Sequence, residues 1–150
     1  AQQRAERLGI PVSVLDHRLI KDRRELDGEL VRLFRADQVE LVVMAGWMRI
    51  VTEVLVSGYS DRLINIHPSL LPSFRGLDAI GQALKAGVKL TGCTVHIVTE
   101  ELDAGPILAQ AAVPVLEGDD HARLAKRIQE QEHLLLPRAL AGLQPTWRQG

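Results

Sequence analysis

The chain has 150 residues, enough for one domain around one core. Hydrophobic residues make up 46%, charged residues 25%, and the net charge is −1, which gives no electrostatic reason to expect nucleic acid or an anionic membrane as a partner. The single cysteine, Cys93, rules out an intrachain disulfide and fits a reducing, cytoplasmic setting. No apolar run approaches the ~20 residues that span a bilayer, and the polar residues 1–7 lack the apolar stretch of a signal peptide.

In chain order, residues 2–8 hold helix formers, and Gly9 reads as their C-terminal stop. Pro11-Val12-Ser13-Val14-Leu15 reads as a short strand. Over residues 23–36, Leu26, Leu30, Leu33 and Phe34 fall at helical spacing with charges on the other face, which predicts an amphipathic helix. Residues 40–45 contain Leu41-Val42-Val43-Met44, the pattern of a strand buried on both faces, as in a parallel sheet. Thr52 is placed to cap a short helix over residues 53–57. Leu63-Ile64-Asn65-Ile66 is another strand, stopped by Pro68. Asp78 begins a helix that Gly87 ends. Residues 94–99 and 107–115 read as strands joined by a polar segment. Asp119 or Asp120 caps a last helix from His121, with Leu124, Ile128 and Leu135 on one face, and Pro137 is expected to kink or end it.

Helices alternating with buried strands predict an α/β domain with parallel pairing, and the two later strands look antiparallel at one side of the sheet. Ligands bind beyond the carboxyl ends of strands in such sheets, so chemistry is expected after Ala45, Ile66 and Thr99.

Three segments carry candidate chemistry. Asn65 and His67 stand two apart and project side by side at a strand's carboxyl end, where an amide N–H and an imidazole can both donate to a developing oxyanion. A turn-capping asparagine and a satisfied structural histidine fit the same residues. Glu100, Glu101 and Asp103 lie near a Gly-Pro turn; a solvated loop is the plain reading. Asp103 differs in that Leu102 and Ala104-Gly105 suggest a tight, partly buried turn, from which a carboxylate could orient His67. Trp47, Met48, Ile50 and Val51 follow a buried strand and could line a pocket for a flat heterocycle, or be ordinary core.

Other patterns fail. The Gly76–Gly81 spacing of a phosphate loop continues into Gln82 and Ala83 instead of Lys and Ser/Thr. The five histidines have no metal-ligand spacing, and His96, mid-strand, reads as a core histidine. Cys93 shows no sign of activation, and Ser69 lies outside the nucleophile-elbow pattern.

Five motifs follow one another along nearly the whole chain: Met48-Arg49-Ile50; Asn65-Ile66-His67-Pro68-Ser69-Leu70-Leu71-Pro72; Thr91-Gly92-Cys93-Thr94-Val95-His96; Leu102-Asp103-Ala104-Gly105-Pro106; and Gln131-Glu132-His133. Together they resemble the folate-dependent formyltransferase family. The resemblance implies an open, mostly parallel twisted α/β sheet with flanking helices and an antiparallel edge. It also implies 10-formyltetrahydrofolate as co-substrate, with no metal. Arg49-Ile50, Phe74-Arg75-Gly76-Leu77-Asp78 and Gln131-Glu132-His133 look most like the members that formylate glycinamide ribonucleotide in purine biosynthesis. Members acting on methionyl-tRNA share the Asn/His/Asp set but carry a tRNA-binding domain, and the near-neutral charge argues against tRNA. A formyltetrahydrofolate deformylase and an inactive folate-binding remnant remain as alternatives.

By this resemblance Asn65, His67 and Asp103 would be catalytic. Met48, Arg49, Ile50 and Val51, with the Asp103 loop, would hold the pterin. Arg23 would help bind the substrate phosphate, and Pro68 and Glu132 would lie against the ribonucleotide. The family begins with a strand and a Gly-Ser-Asn-type loop that binds phosphate at a helix N-terminus. Nothing here matches that loop, so residues 1–150 are expected to form a single catalytic domain lacking its first βα unit and part of the next.

Overall fold

A computed structural model describes residues 2–47 and 49–143. The elements in chain order are α1 (Gln2–Arg7), α2 (Arg23–Ala36), β1 (Val42–Met44), α3 (Glu53–Gly58), β2 (Leu63–His67), α4 (Ala79–Ala86), β3 (Leu90–Ile97), β4 (Ile107–Pro114) and α5 (His121–Ala141). The strands form one open sheet in the order β1-β2-β3-β4. β1 and β2 are parallel, while β2–β3 and β3–β4 are antiparallel. The open α/β sheet, its flanking helices and its antiparallel side are as expected; within the described residues the balance is mixed, with one parallel pairing of three.

Alternation along β2 divides the core. Leu63 and Ile66 stand three apart and so face opposite sides of the sheet. Leu63 joins Val31, Met44, Leu55 and Tyr59, which packs α2 and α3 onto one face. Ile66 joins Cys93, Val113, Leu124 and Ile128 on the other, under α4 and α5. Phe34 and Tyr59 meet edge to face, with centroids 5.6 Å apart, and close the α2–α3 side.

Local signals set several helix ends. Asp22 accepts the Glu25 N–H at 2.9 Å to start α2. Asp78 does the same for Gly81 at 3.1 Å, and Gly87, at φ +67°, ends α4 in the left-handed region. Asp120 caps α5 through Arg123 N, whereas Asp119 turns to Arg127, with oxygen–nitrogen distances of 2.7 and 3.0 Å.

Four expectations give way to tertiary context. Residues 11–15 form no strand, because no strand among the described residues lies alongside to take up their backbone hydrogen bonds. β1 is not buried on both faces: Val43 is 37% exposed, because β1 pairs only with β2 and stands at the edge of the described sheet. Thr52 sits at the N-cap of α3 but makes no cap bond; its hydroxyl and N–H both donate to buried Asp27, at 2.8 and 2.7 Å. β3 starts at Leu90, not Thr94, because Leu90 to Cys93 pair with Pro114 to Ala111. Pro137 does not end α5, which runs on to Ala141: the proline forgoes one hydrogen bond to the His133 carbonyl, and both residues are exposed.

Candidate active site

The polar residues of the sheet gather on one face by register. Asn65 pairs with His96 and His67 with Thr94 across β2–β3, and Thr94 pairs with Gln110 across β3–β4. Directly opposed residues share a face, so these five side chains stand together on the side away from Ile66 and Cys93.

Thr94 anchors the segment that follows β2. Its hydroxyl accepts from Leu71 N at 3.0 Å and donates to the Ser69 carbonyl at 2.7 Å. The Gln110 amide donates to the Leu71 carbonyl at 2.9 Å and to Thr94 Oγ1 at 3.0 Å. Residues 69–71 are thereby tied down onto β3 and β4, and Phe74 is carried to His67, whose Nε2 donates to its carbonyl at 2.9 Å.

The other loop arrives from β3. Asp103, at φ +50°, turns its carboxylate inward: Oδ2 lies 3.5 Å from His67 Nδ1, and Oδ1 lies 3.7 Å from His96 Nε2. The side chains of His67 and Asp103 are each 8% exposed, so little water reaches the contact between them. Both neighbours of the His67 ring are acceptors, and each contact becomes a hydrogen bond when its ring nitrogen carries a proton. Asn65 Nδ2 lies 3.3 Å from His96 Nε2, which completes a chain of four side chains, Asn65–His96–Asp103–His67. An amide and an imidazole beside a buried carboxylate can stabilise a developing oxyanion and move a proton.

Asn65, His67 and Asp103 are therefore brought together, as the sequence suggested. Pro68 follows His67 directly. Glu132, on α5, is half-buried; burial pushes its carboxyl above its ordinary value, against the pull of His133 and of His67. Arg23 opens α2, exposed, and no contact among the described residues joins it to the cluster; adjacent Arg24 pairs with Glu53 at 2.5 Å. Arg49, Ile50 and Val51 lie between β1 and α3; Ile50 is 56% exposed and Val51 packs on the α2–α3 core. Met48 lies outside the described residues. Trp47 Nε1 and Arg49 Nη1 are enclosed without a hydrogen-bond partner among the described residues.

Two participants escaped the sequence reading. His96 is a member of the polar chain as well as buried. Thr94 is the anchor of the loop. Their spacing of two on one predicted strand was the available signal, but the strand's partner register was needed to set them opposite Asn65 and His67.

The family model described as formyl transferase matches residues 1–140. The phosphoribosylglycinamide formyltransferase of Bacillus subtilis (strain 168) is 40% identical over 94% of this chain and 72% of its own length. That of Escherichia coli (strain K12) is 43% identical over 90% of this chain and 64% of its own. The human trifunctional purine biosynthetic protein adenosine-3 is 47% identical over 91% of this chain, which spans 14% of that protein's length. Among solved structures, the phosphoribosylglycinamide formyltransferase of Bacillus halodurans superposes with a TM-score of 0.88 at 44% identity, over 92% of this chain and 71% of its own. On the match of the family model and on these relatives, the chain belongs to the formyl transferase family.

Proposed function

We propose that the protein transfers the formyl group of 10-formyltetrahydrofolate to the amine of glycinamide ribonucleotide, a step of purine biosynthesis carried out in the cytoplasm. The observation that carries this reading is the buried Asn65–His96–Asp103–His67 chain at the carboxyl end of β2, in a chain 40–43% identical to bacterial phosphoribosylglycinamide formyltransferases.

The folate co-substrate supplies the formyl group, with its pterin held by Met48, Arg49, Ile50, Val51 and the Asp103 loop. The unpartnered Trp47 Nε1 and Arg49 Nη1 support that placement. As the amine nitrogen bonds to the formyl carbon, Asn65 donates to the oxygen that gains charge, and protonated His67 joins it by turning its Nε2–H from the Phe74 carbonyl to that oxygen. Asp103 supports the imidazolium at 3.5 Å and helps pass the amine's proton to the folate nitrogen as its bond to the formyl carbon breaks. Pro68 and Glu132 border the ribonucleotide, and Arg23 assists with its phosphate. No metal takes part in this scheme.

The test is to follow tetrahydrofolate release from 10-formyltetrahydrofolate with and without glycinamide ribonucleotide. Release that requires the ribonucleotide is expected. Release without it, with formate appearing, makes the protein a deformylase, and the Glu132 and Arg23 assignments fall with the transferase reading.

A further inference from the structure

His96 is only 2% exposed, yet both of its ring nitrogens face polar atoms. Nδ1 lies 3.0 Å from the carbonyl oxygen of Ile97. That oxygen can only accept, so Nδ1 carries a proton. Burial lowers the ring's pKa from the ordinary 6.5, against the opposing pull of the Ile97 carbonyl and Asp103 and with a further push from His67. The Asn65 amide nitrogen, which can only donate, lies 3.3 Å from Nε2, so Nε2 presents its lone pair, and burial favours the same neutral form of the ring.

That lone pair distinguishes the two ends of the Asn65 amide. Nδ2, at 3.3 Å, donates to it. Turned over, the amide would set Oδ1 against a second acceptor, with the Asp103 carboxylate 3.7 Å from the same ring nitrogen. Nδ2 has two hydrogens. One is spent on His96, and the Asn65 side chain makes no other hydrogen bond among the described residues, so the second is free for a ligand oxygen.

We propose that His96 is a positioning residue: its Nε2 lone pair holds the Asn65 amide nitrogen-first, so that the second N–H stays available to the oxygen that gains charge in formyl transfer. This rests on the reading of Asn65 as an oxyanion donor, and the experiment separates the two. Full-length protein is prepared as wild type, Asn65→Ala, His96→Phe, His96→Gln and the Asn65→Ala/His96→Phe double variant. kcat and KM for 10-formyltetrahydrofolate are measured, and folding is checked by thermal melt.

His96→Phe keeps bulk and loses the acceptor, so kcat is expected to fall by about 10-fold or more, toward the ~10²–10³-fold typical of a lost oxyanion donor, with KM little changed. His96→Gln can place Oε1 near the former Nε2 and should recover most of kcat. In the Asn65→Ala background, His96→Phe should add nothing, because its effect runs through Asn65. An equal loss in both backgrounds, or wild-type kcat for His96→Phe, overturns the proposal while leaving Asn65 in its role. Wild-type kcat for Asn65→Ala overturns the Asn65 reading and this proposal together. Should His96→Phe fail to fold, a folded His96→Gln as impaired as Asn65→Ala also overturns it.

Discussion

Asp103 accepts the backbone N–H of Gly76 at 2.8 Å through Oδ2, the same oxygen that lies 3.5 Å from His67 Nδ1. Gly76, at φ +78°, belongs to the segment whose Phe74 carbonyl meets the other ring nitrogen of His67. The two acceptors that flank the imidazole are thus tied to one loop. Asp103→Asn keeps an acceptor for Gly76 but removes the charge beside His67. Turnover is expected to fall by about 10²-fold or more, with the melting temperature little changed. Wild-type kcat and an unaltered pH–rate profile in the Asp103→Asn variant would count against the pairing.

His67→Ala should cost turnover about 10²–10³-fold, the range for losing one donor to an oxyanion. The loop retains its anchors on Thr94 and Gln110, so native circular dichroism is expected to persist. Near-normal kcat in this variant would refute the assigned role.

Gly92 marks a close backbone approach between β3 and β4. A Cβ there would overlap the carbonyl oxygen of Ala111 and come within 2.9 Å of Leu70 Cδ2. Gly92→Ala must spread the two strands, and a loss of roughly 1–3 kcal/mol is expected, as for overpacked cores. Urea denaturation measures it; an unchanged midpoint would show that the strands slide at no cost.

Cys93 is fully buried against α5, and its thiol is pushed up to about 11, first by burial and then by the nearby Glu132 carboxylate, with the Ala111 backbone opposing. Thiolate, the reactive form, is scarce at pH 8. Iodoacetamide should label the native protein far more slowly than the urea-unfolded chain. Equal rates would mean that the β3–α5 packing opens readily.

Asp119 holds Arg127 and the Leu116 N–H, and these bonds lower its carboxyl from the ordinary 3.8 to about 2. A depressed carboxylate pKa adds stability above the unfolded value, and that stability is lost as pH falls through the folded one. Asp119→Asn should therefore be less stable than wild type at pH 7, and the gap should close between about 3.8 and about 2. Chemical denaturation across that range tests it; a gap that persists at the lowest pH would assign the effect to shape instead of charge.

Elements whose causes are local can be read from the amino-acid order alone. α4 begins where Asp78 can reach an N–H three residues on and ends where Gly87 can turn left-handed, so its ends were legible without knowing the neighbours. The pairing of Asn65 with His67 on one face was legible for the same reason, since alternation is a property of the strand alone. The ordered run of motifs from Met48 to His133 likewise pointed to the family without any knowledge of contacts. What depends on a partner distant in sequence was settled by the packed fold. Val43 is exposed because of where the sheet's described edge falls, and Thr52 gives up its cap for Asp27, 25 residues away. Asp103 reaches His67, and His96 reaches Asn65, through loop closure and antiparallel register. Propensity and capping act over a single turn or strand, whereas register and burial are set by the packing of whole elements, so Asn65, His67 and Asp103 could be named in advance whereas the parts played by His96 and Thr94 could not.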